Sequence, residues 1–198
     1  MIRRKNQLLH SRTFKLLQEG DPADPYFLDE ACFHVYLNRL LHGLKAFRVQ
    51  LHTYVLMPCL VQLLASPYSR GGFAMIVETT AIDYGEYFIN RFGYSCSLQR
   101  CKPALQMVPT GGQLLDCQKD IELAPVRAGL VDRPVEYRWS GYRTNAFGGH
   151  RNPIVMHREY RDYCFESRQP YQRYRDFVAA TASADSFHPR TSGLQDRI

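Results

Sequence analysis

The sequence predicts an α+β domain, an antiparallel sheet with helices packed on it. Three observations predict it. Apolar residues switch between helical and strand spacing along the chain, turn-forming residues stand where the spacing changes, and the segments run strand, helix, strand, strand, helix, strand, helix.

Residues 8 to 18 read as a first strand of poor alternation, and Asp21-Pro22-Ala23-Asp24-Pro25 as a turn. From Asp29, a capping residue, a helix is signalled by Phe33, Tyr36, Leu37, Leu40, Leu41, Leu44 and Phe47 at three- and four-residue spacing. Val49, Leu51, Thr53 and Val55 then alternate with Gln50, His52 and Tyr54, as in a half-buried strand. Met57-Pro58 breaks it, and Leu60 to Ala65 returns as the second strand of a hairpin. A loop covers Ser66 to Gly72, and a helix Phe73 to Arg91, weakened by Gly85. Residues 94 to 108 read as extended, with Pro103 marking an edge or bulge. Gly111-Gly112 turns the chain into a helix over Leu114 to Arg127, which Gly129 ends.

The chain has 198 residues, enough for one domain with an appendage. It carries no uninterrupted run of about eighteen apolar residues that would span a membrane. Its basic N-terminus is too polar for a signal peptide, so a cytoplasmic location is expected. A net charge of +6 is compatible with a nucleic-acid partner without demanding one. Cys32, Cys59, Cys96, Cys101, Cys117 and Cys164 lack the paired spacing of a zinc site and are expected as free thiols. Between Arg133 and Arg175 stand nine arginines, no lysines, four acids and six tyrosines. The expected organisation is a domain over 1–147, an Arg/Tyr-rich helical extension over 148–178, and a small, polar, disordered tail over 179–198.

Three segments carry a family signature: Leu51-His52-Thr53-Tyr54-Val55-Leu56-Met57-Pro58, then Ile121-Glu122-Leu123-Ala124-Pro125-Val126-Arg127-Ala128-Gly129-Leu130-Val131, then Tyr137-Arg138-Trp139-Ser140-Gly141-Tyr142-Arg143. In order and spacing the chain resembles the REP-associated tyrosine transposases, single-tyrosine HUH enzymes. The resemblance implies an RNA-recognition-motif-like (ferredoxin-like) sheet with helices on one face, plus a helical C-terminal extension. It further implies DNA transposition chemistry on single-stranded or hairpin DNA by a monomer or dimer. In such proteins a tyrosine attacks a phosphodiester while Mg²⁺ or Mn²⁺, held by two histidines, polarises the phosphate. Two histidines at i and i+2 on a strand share a face and reach one metal. The metal offsets charge developing on the phosphate as the tyrosine oxygen attacks.

The chain departs from that pattern at every such position. The two histidines of the strand motif stand here as Leu60, which has no lone pair to donate, and Gln62, a weak amide ligand. The nucleophile position is Asp120, whose carboxylate would form a labile mixed anhydride; the further ligand, one helical turn on, is Ala124. The expectation is therefore a transposase-derived protein without catalysis and without a cofactor. Its DNA-contact candidates are Arg100, Lys102, Arg127, Arg138, Arg143, Arg158, Arg161 and Arg173, and the tyrosines of the Arg/Tyr-rich stretch could stack on unpaired bases.

Plainer readings stand beside several residues. His52 could be a rescue ligand, but a strand histidine is more often structural. Tyr84 and Tyr87 could replace the nucleophile, but at helical spacing read as packing aromatics. Asp120 and Glu122 point to different sides of their helix and read as solvating residues. Trp139 and Tyr142 are expected to pack the C-terminal segment onto the domain, and the Arg/Tyr stretch could be a helix pair with a solvated charged face. Two alternatives to a DNA-binding relic stay open: an active transposase with non-standard ligands or nucleophile, and a protein-interaction module or non-functional copy.

Overall fold

The computed structural model describes residues 12–68, 71–149 and 153–185, the last five without side-chain detail. Its strands are β1 (Thr13–Glu19), β2 (Val49–Met57), β3 (Leu60–Pro67) and β4 (Ala104–Val108). Its helices are α1 (Glu30–Ala46), α2 (Gly72–Phe92), α3 (Gln113–Arg127), α4 (Tyr142–Phe147), α5 (Arg158–Cys164) and α6 (Pro170–Asp185). The sheet order is β2-β3-β1-β4, with every neighbouring pair antiparallel. A β-α-β-β-α-β run in that order is the ferredoxin-like arrangement, so the predicted fold class is the one observed.

Local chemistry sets the elements. Asp29 caps α1, its Oδ1 accepting from the Cys32 N–H at 3.0 Å. The apolar stripe Phe33, Tyr36, Leu40 and Leu44 then lies buried against α2 and the sheet. Gly85 sits where α2 meets a 3-10 turn at Ser97–Gln99; a Cβ there would come within 1.9 Å of Gln99 Nε2. That turn shortens the extended segment expected over 94–108 to Ala104–Val108. β3 conversely runs on through Ser66 and Pro67, where a loop was expected, because β2 continues to pair with both.

The strict alternation expected in β2 is interrupted. Leu51 pairs with Ala65 and Thr53 with Leu64, so His52 is the extra residue of a β-bulge. Beyond it Tyr54 and Leu56 join the face of Leu51, while Thr53, Val55 and Met57 turn to the other face. Both faces are covered. α1 and α2 lie on the first, as expected for helices on one face of the sheet. α3 lies on the second, over Val55, Met57, Leu64 and Val108.

The free edge of β2 is closed by two short segments. Ser140 bridges Val55 in antiparallel fashion and Ile154 bridges Leu51 in parallel. Gly141 donates its N–H to Tyr54 O at 2.8 Å, and a Cβ there would lie 2.4 Å from Thr53 Oγ1 and 3.2 Å from Thr53 Cα. Gly141→Ala therefore overpacks a backbone contact and should cost about 2 kcal/mol in urea unfolding. Full native stability in this variant would mean that the edge can part without loss.

The Arg/Tyr-rich region is helical and contributes to a second apolar cluster. Tyr160, Tyr174, Cys164 and Val178 are buried with Leu115 and Leu123 of α3 and with Tyr142 and Ala146 of α4. α6 continues to Asp185, so residues 179–185 are helical where a disordered tail was expected; Ala179, Ala180, Ala182 and Ala184 favour helix over disorder. Residues 186–198 lie outside the described residues, as does the beginning of the first predicted strand. All six cysteines are free. No helix among the described residues is long and apolar enough to cross a membrane.

Candidate functional site

Three of the four positions singled out by the motifs lie together. Leu60 and Gln62 point from β3 to the face covered by α3, opposite Glu19 and Leu17 of β1 and opposite Met57 and Val55 of β2. Leu60 and Ala124 both pack against one apolar cluster formed by Val55, Met57, Leu64, Val108, Leu114 and Ile121. Gln62 is half-buried beside them. Asp120 points away, half-exposed, with Oδ1 2.9 Å from Arg127 Nη2. A metal here would meet one amide oxygen and two hydrocarbon side chains. That donor set does not fit a divalent cation, which needs several oxygen or imidazole ligands. No group of three or more His, Cys, Asp or Glu able to hold a metal occurs among the described residues.

The substitute groups considered from sequence are committed elsewhere. Tyr84 is fully buried, and its hydroxyl donates to Tyr26 O; burial drives its pKa up. His52 is 1% exposed and bonded at both ring nitrogens, Nδ1 to Val155 O at 2.7 Å and Nε2 to Ser66 Oγ at 2.8 Å.

Those bonds belong to a longer chain. His157 Nδ1 accepts from the Glu159 N–H at 3.1 Å, so in its neutral form Nε2 carries the proton and donates to Thr13 Oγ1 at 3.3 Å. Thr13 can then donate to Ser66, and Ser66 to His52, leaving Nδ1–H of His52 for Val155 O. The chain closes with both imidazoles neutral. Burial lowers both pKa values in keeping with this, that of His52 to about 4. Ser66 beside His52 is thus a buried structural pair rather than a nucleophile and its base.

Glu122 was expected to solvate its helix and is instead fully buried. Its Oε1 accepts from Thr53 Oγ1 at 2.6 Å and Asn145 Nδ2 at 2.7 Å, and its Oε2 from the Tyr174 hydroxyl at 2.8 Å. Burial pushes its pKa up to about 7, against the lowering effect of the three donors. One carboxylate thereby joins β2, α3, α4 and α6. The available signal was helical spacing: Leu115, Gln118 and Glu122 share the buried stripe, which Asp120 does not.

Most of the DNA-contact candidates are engaged within the chain. Arg100 pairs with Asp24 at 2.7 Å, Arg127 with Asp120, Arg138 with Glu30, Arg158 with Asp162 at 3.3 Å and Arg173 with Glu166 at 3.4 Å. Arg143 Nε donates to Val135 O at 2.8 Å. Lys102 and Arg161 are exposed and form no ion pair among the described residues. Tyr160 and Tyr174, possible base-stacking residues by composition, are core residues.

No protein family is matched by the sequence, and no curated protein is similar to it. Among solved structures the chain is similar to a REP-associated tyrosine transposase bound to a REP hairpin. The TM-score is 0.52 and the identity 9%, over 75% of this chain and 86% of the other. The two proteins share a transposase-like fold, a distant structural relationship.

Proposed function

We propose that the chain is a transposase-derived DNA-binding protein that does not carry out tyrosine phosphodiester transfer. The observation that carries this reading is the apolar closure of Leu60 and Ala124 into one cluster, where the resemblance puts metal ligands. Asp120, held by Arg127, offers no tyrosyl ester. The hairpin bound by the transposase of like fold supports hairpin or single-stranded DNA as the partner. The contact surface runs through Lys102 and Arg161, joined by those arginines whose exposed ion pairs are weak, about 0–1 kcal/mol, and open to exchange for phosphate.

Incubation with a hairpin single strand and Mg²⁺ or Mn²⁺ should leave the DNA unnicked and free of covalent protein. A gel shift should appear at low salt and weaken as salt rises, with a shallow slope of about −0.7 per phosphate contact on single strands. A covalent adduct would restore the active-transposase reading. The burial of Tyr160 and Tyr174 removes two base-stacking candidates and so favours the competing reading, a protein-interaction module or non-functional copy. Absence of any shift with hairpin or random DNA at low salt would decide for it.

A further inference from the structure

The outer surface of the α1–α2 layer has features that the fold does not use. Met75, Ile82 and Ile89 of α2 are 45%, 48% and 42% exposed and recur every seven residues, a single apolar ridge along the helix. Glu78, Asp83 and Glu86 flank the ridge. On α1, next to it, Val35, Asn38, Arg39 and His42 line a shallow depression of about 320 Å³. Their i, i+3, i+4, i+7 spacing is that of the four residues that form a hole for a knob from a facing helix. Arg39 and Lys45 on this side form no ion pair among the described residues, and neither do Glu78, Asp83 and Glu86.

We propose that two copies of the chain pair face to face through this layer, the Ile82 of each seated in the Val35–Asn38–Arg39–His42 hole of the other. The register supports it. α1 and α2 run antiparallel, with Tyr36 against Tyr84 at 5.5 Å between ring centroids and Gly43 against Ile76. Residues of the two helices at one level therefore have numbers summing to about 120, which puts the middle of the hole level with Ile82. A two-fold axis parallel to the helices and between them lays each α2 over the partner's α1 at that same level. It also brings Arg39 of one copy between Glu78 and Asp83 of the other, and Lys45 toward Glu78. The surface is thus self-complementary in shape and in charge.

Its size sets the strength. Helices of 17 and 21 residues, about 26 and 32 Å long and packed about 9 Å apart, present roughly 500–600 Å² per copy. That is near the lower bound for a specific interface, so the dimer is weak and concentration-dependent, to be sought at chain concentrations of roughly 10–100 µM and above. The pairing does not rest on DNA binding.

Sedimentation velocity of the full chain, without DNA and across that range, tests it. The native chain should pass from monomer to dimer. Ile82→Glu should stay monomeric with an unchanged melting temperature, and so should Asn38→Trp, which fills the hole from within. Leu130→Glu, at a similarly exposed apolar position beyond α3 on the other face of the sheet, should dimerise as the native chain does. A native chain monomeric throughout, or dimerisation that survives Ile82→Glu or Asn38→Trp, overturns the proposal. So does loss of the dimer in Leu130→Glu.

Discussion

Glu122→Gln should abolish a fall in stability of about 3 kcal/mol that the native side chain imposes between pH 4.5 and 7. The carboxyl titrates at an ordinary value in the unfolded chain and at about 7 when folded. Its contribution is therefore fully present below pH 4.5 and is lost as pH rises through 7. His52 acts in the opposite sense. Its folded pKa lies near 4, below the ordinary 6.5, so its contribution is present above pH 6.5 and is lost as pH falls. Between pH 4.5 and 6.5 the two slopes oppose each other in the native chain, with the lowered pKa of His157 adding to the histidine side. Glu122→Gln exposes the histidine: stability of this variant should climb by up to about 3 kcal/mol from pH 4 to 6.5. Urea unfolding of both proteins across pH 4–8 checks the Glu122 contribution through their difference, from which the histidines and the other carboxylates drop out, and the histidine climb is read from the variant itself. A difference independent of pH would mean that Glu122 ionises in the fold as it does in water. Glu122→Leu is the harsher change. It strands the Thr53, Asn145 and Tyr174 donors in the interior and should cost about 3–5 kcal/mol below pH 4.5, a cost that shrinks as pH rises through 7 and the native carboxylate becomes charged.

What sequence could and could not reveal follows from the range of the interactions. The Asp29 cap, the break at Met57-Pro58 and the helix stop at Gly129 depend on neighbours in the chain, and each stands where the pattern put it. The degenerate motif was legible for another reason. Leu60 and Ala124 lack donor atoms whatever surrounds them, so their chemistry required no coordinates. Glu122 was misread, and His52, rightly read as structural, could not be given its bonds, because their partners lie far along the chain. Thr53 and Tyr174 lie 69 and 52 residues from Glu122, and Val155 lies 103 residues from His52. The Arg/Tyr stretch was ambiguous in the same way. Its composition suits either a nucleic-acid surface or an amphipathic helix pair, and only the packing of Tyr160 and Tyr174 on α3 and α4 separates the two.

Trp139→Ala should cost about 3–5 kcal/mol, comparable to the loss of a large buried aromatic in any core. The indole is 8% exposed and belongs to the α1–α2 core rather than to the C-terminal cluster. It stacks on Phe33 with ring centroids 4.9 Å apart and meets His34 edge-on at 4.8 Å. Its own carbonyl accepts from the Leu56 N–H at 2.9 Å, and two residues later Gly141 donates to Tyr54. One side chain thus pins the segment that closes the β2 edge, while Tyr142 beyond it enters the other cluster. Removing the indole should therefore do more than open a cavity. The Leu56 and Gly141 amides should lose exchange protection well beyond the global change, because their edge pairing opens locally. Amides of β1 and β3, paired on both sides, should follow the global stability alone. Circular dichroism must follow the unfolding of the variant, since Trp139 is the sole tryptophan of the chain. In the native protein its fluorescence reports this junction directly. Uniform loss of protection across the sheet would show that Trp139 is an ordinary core residue, and that the edge is held by the backbone contacts of Gly141 and Val155 instead.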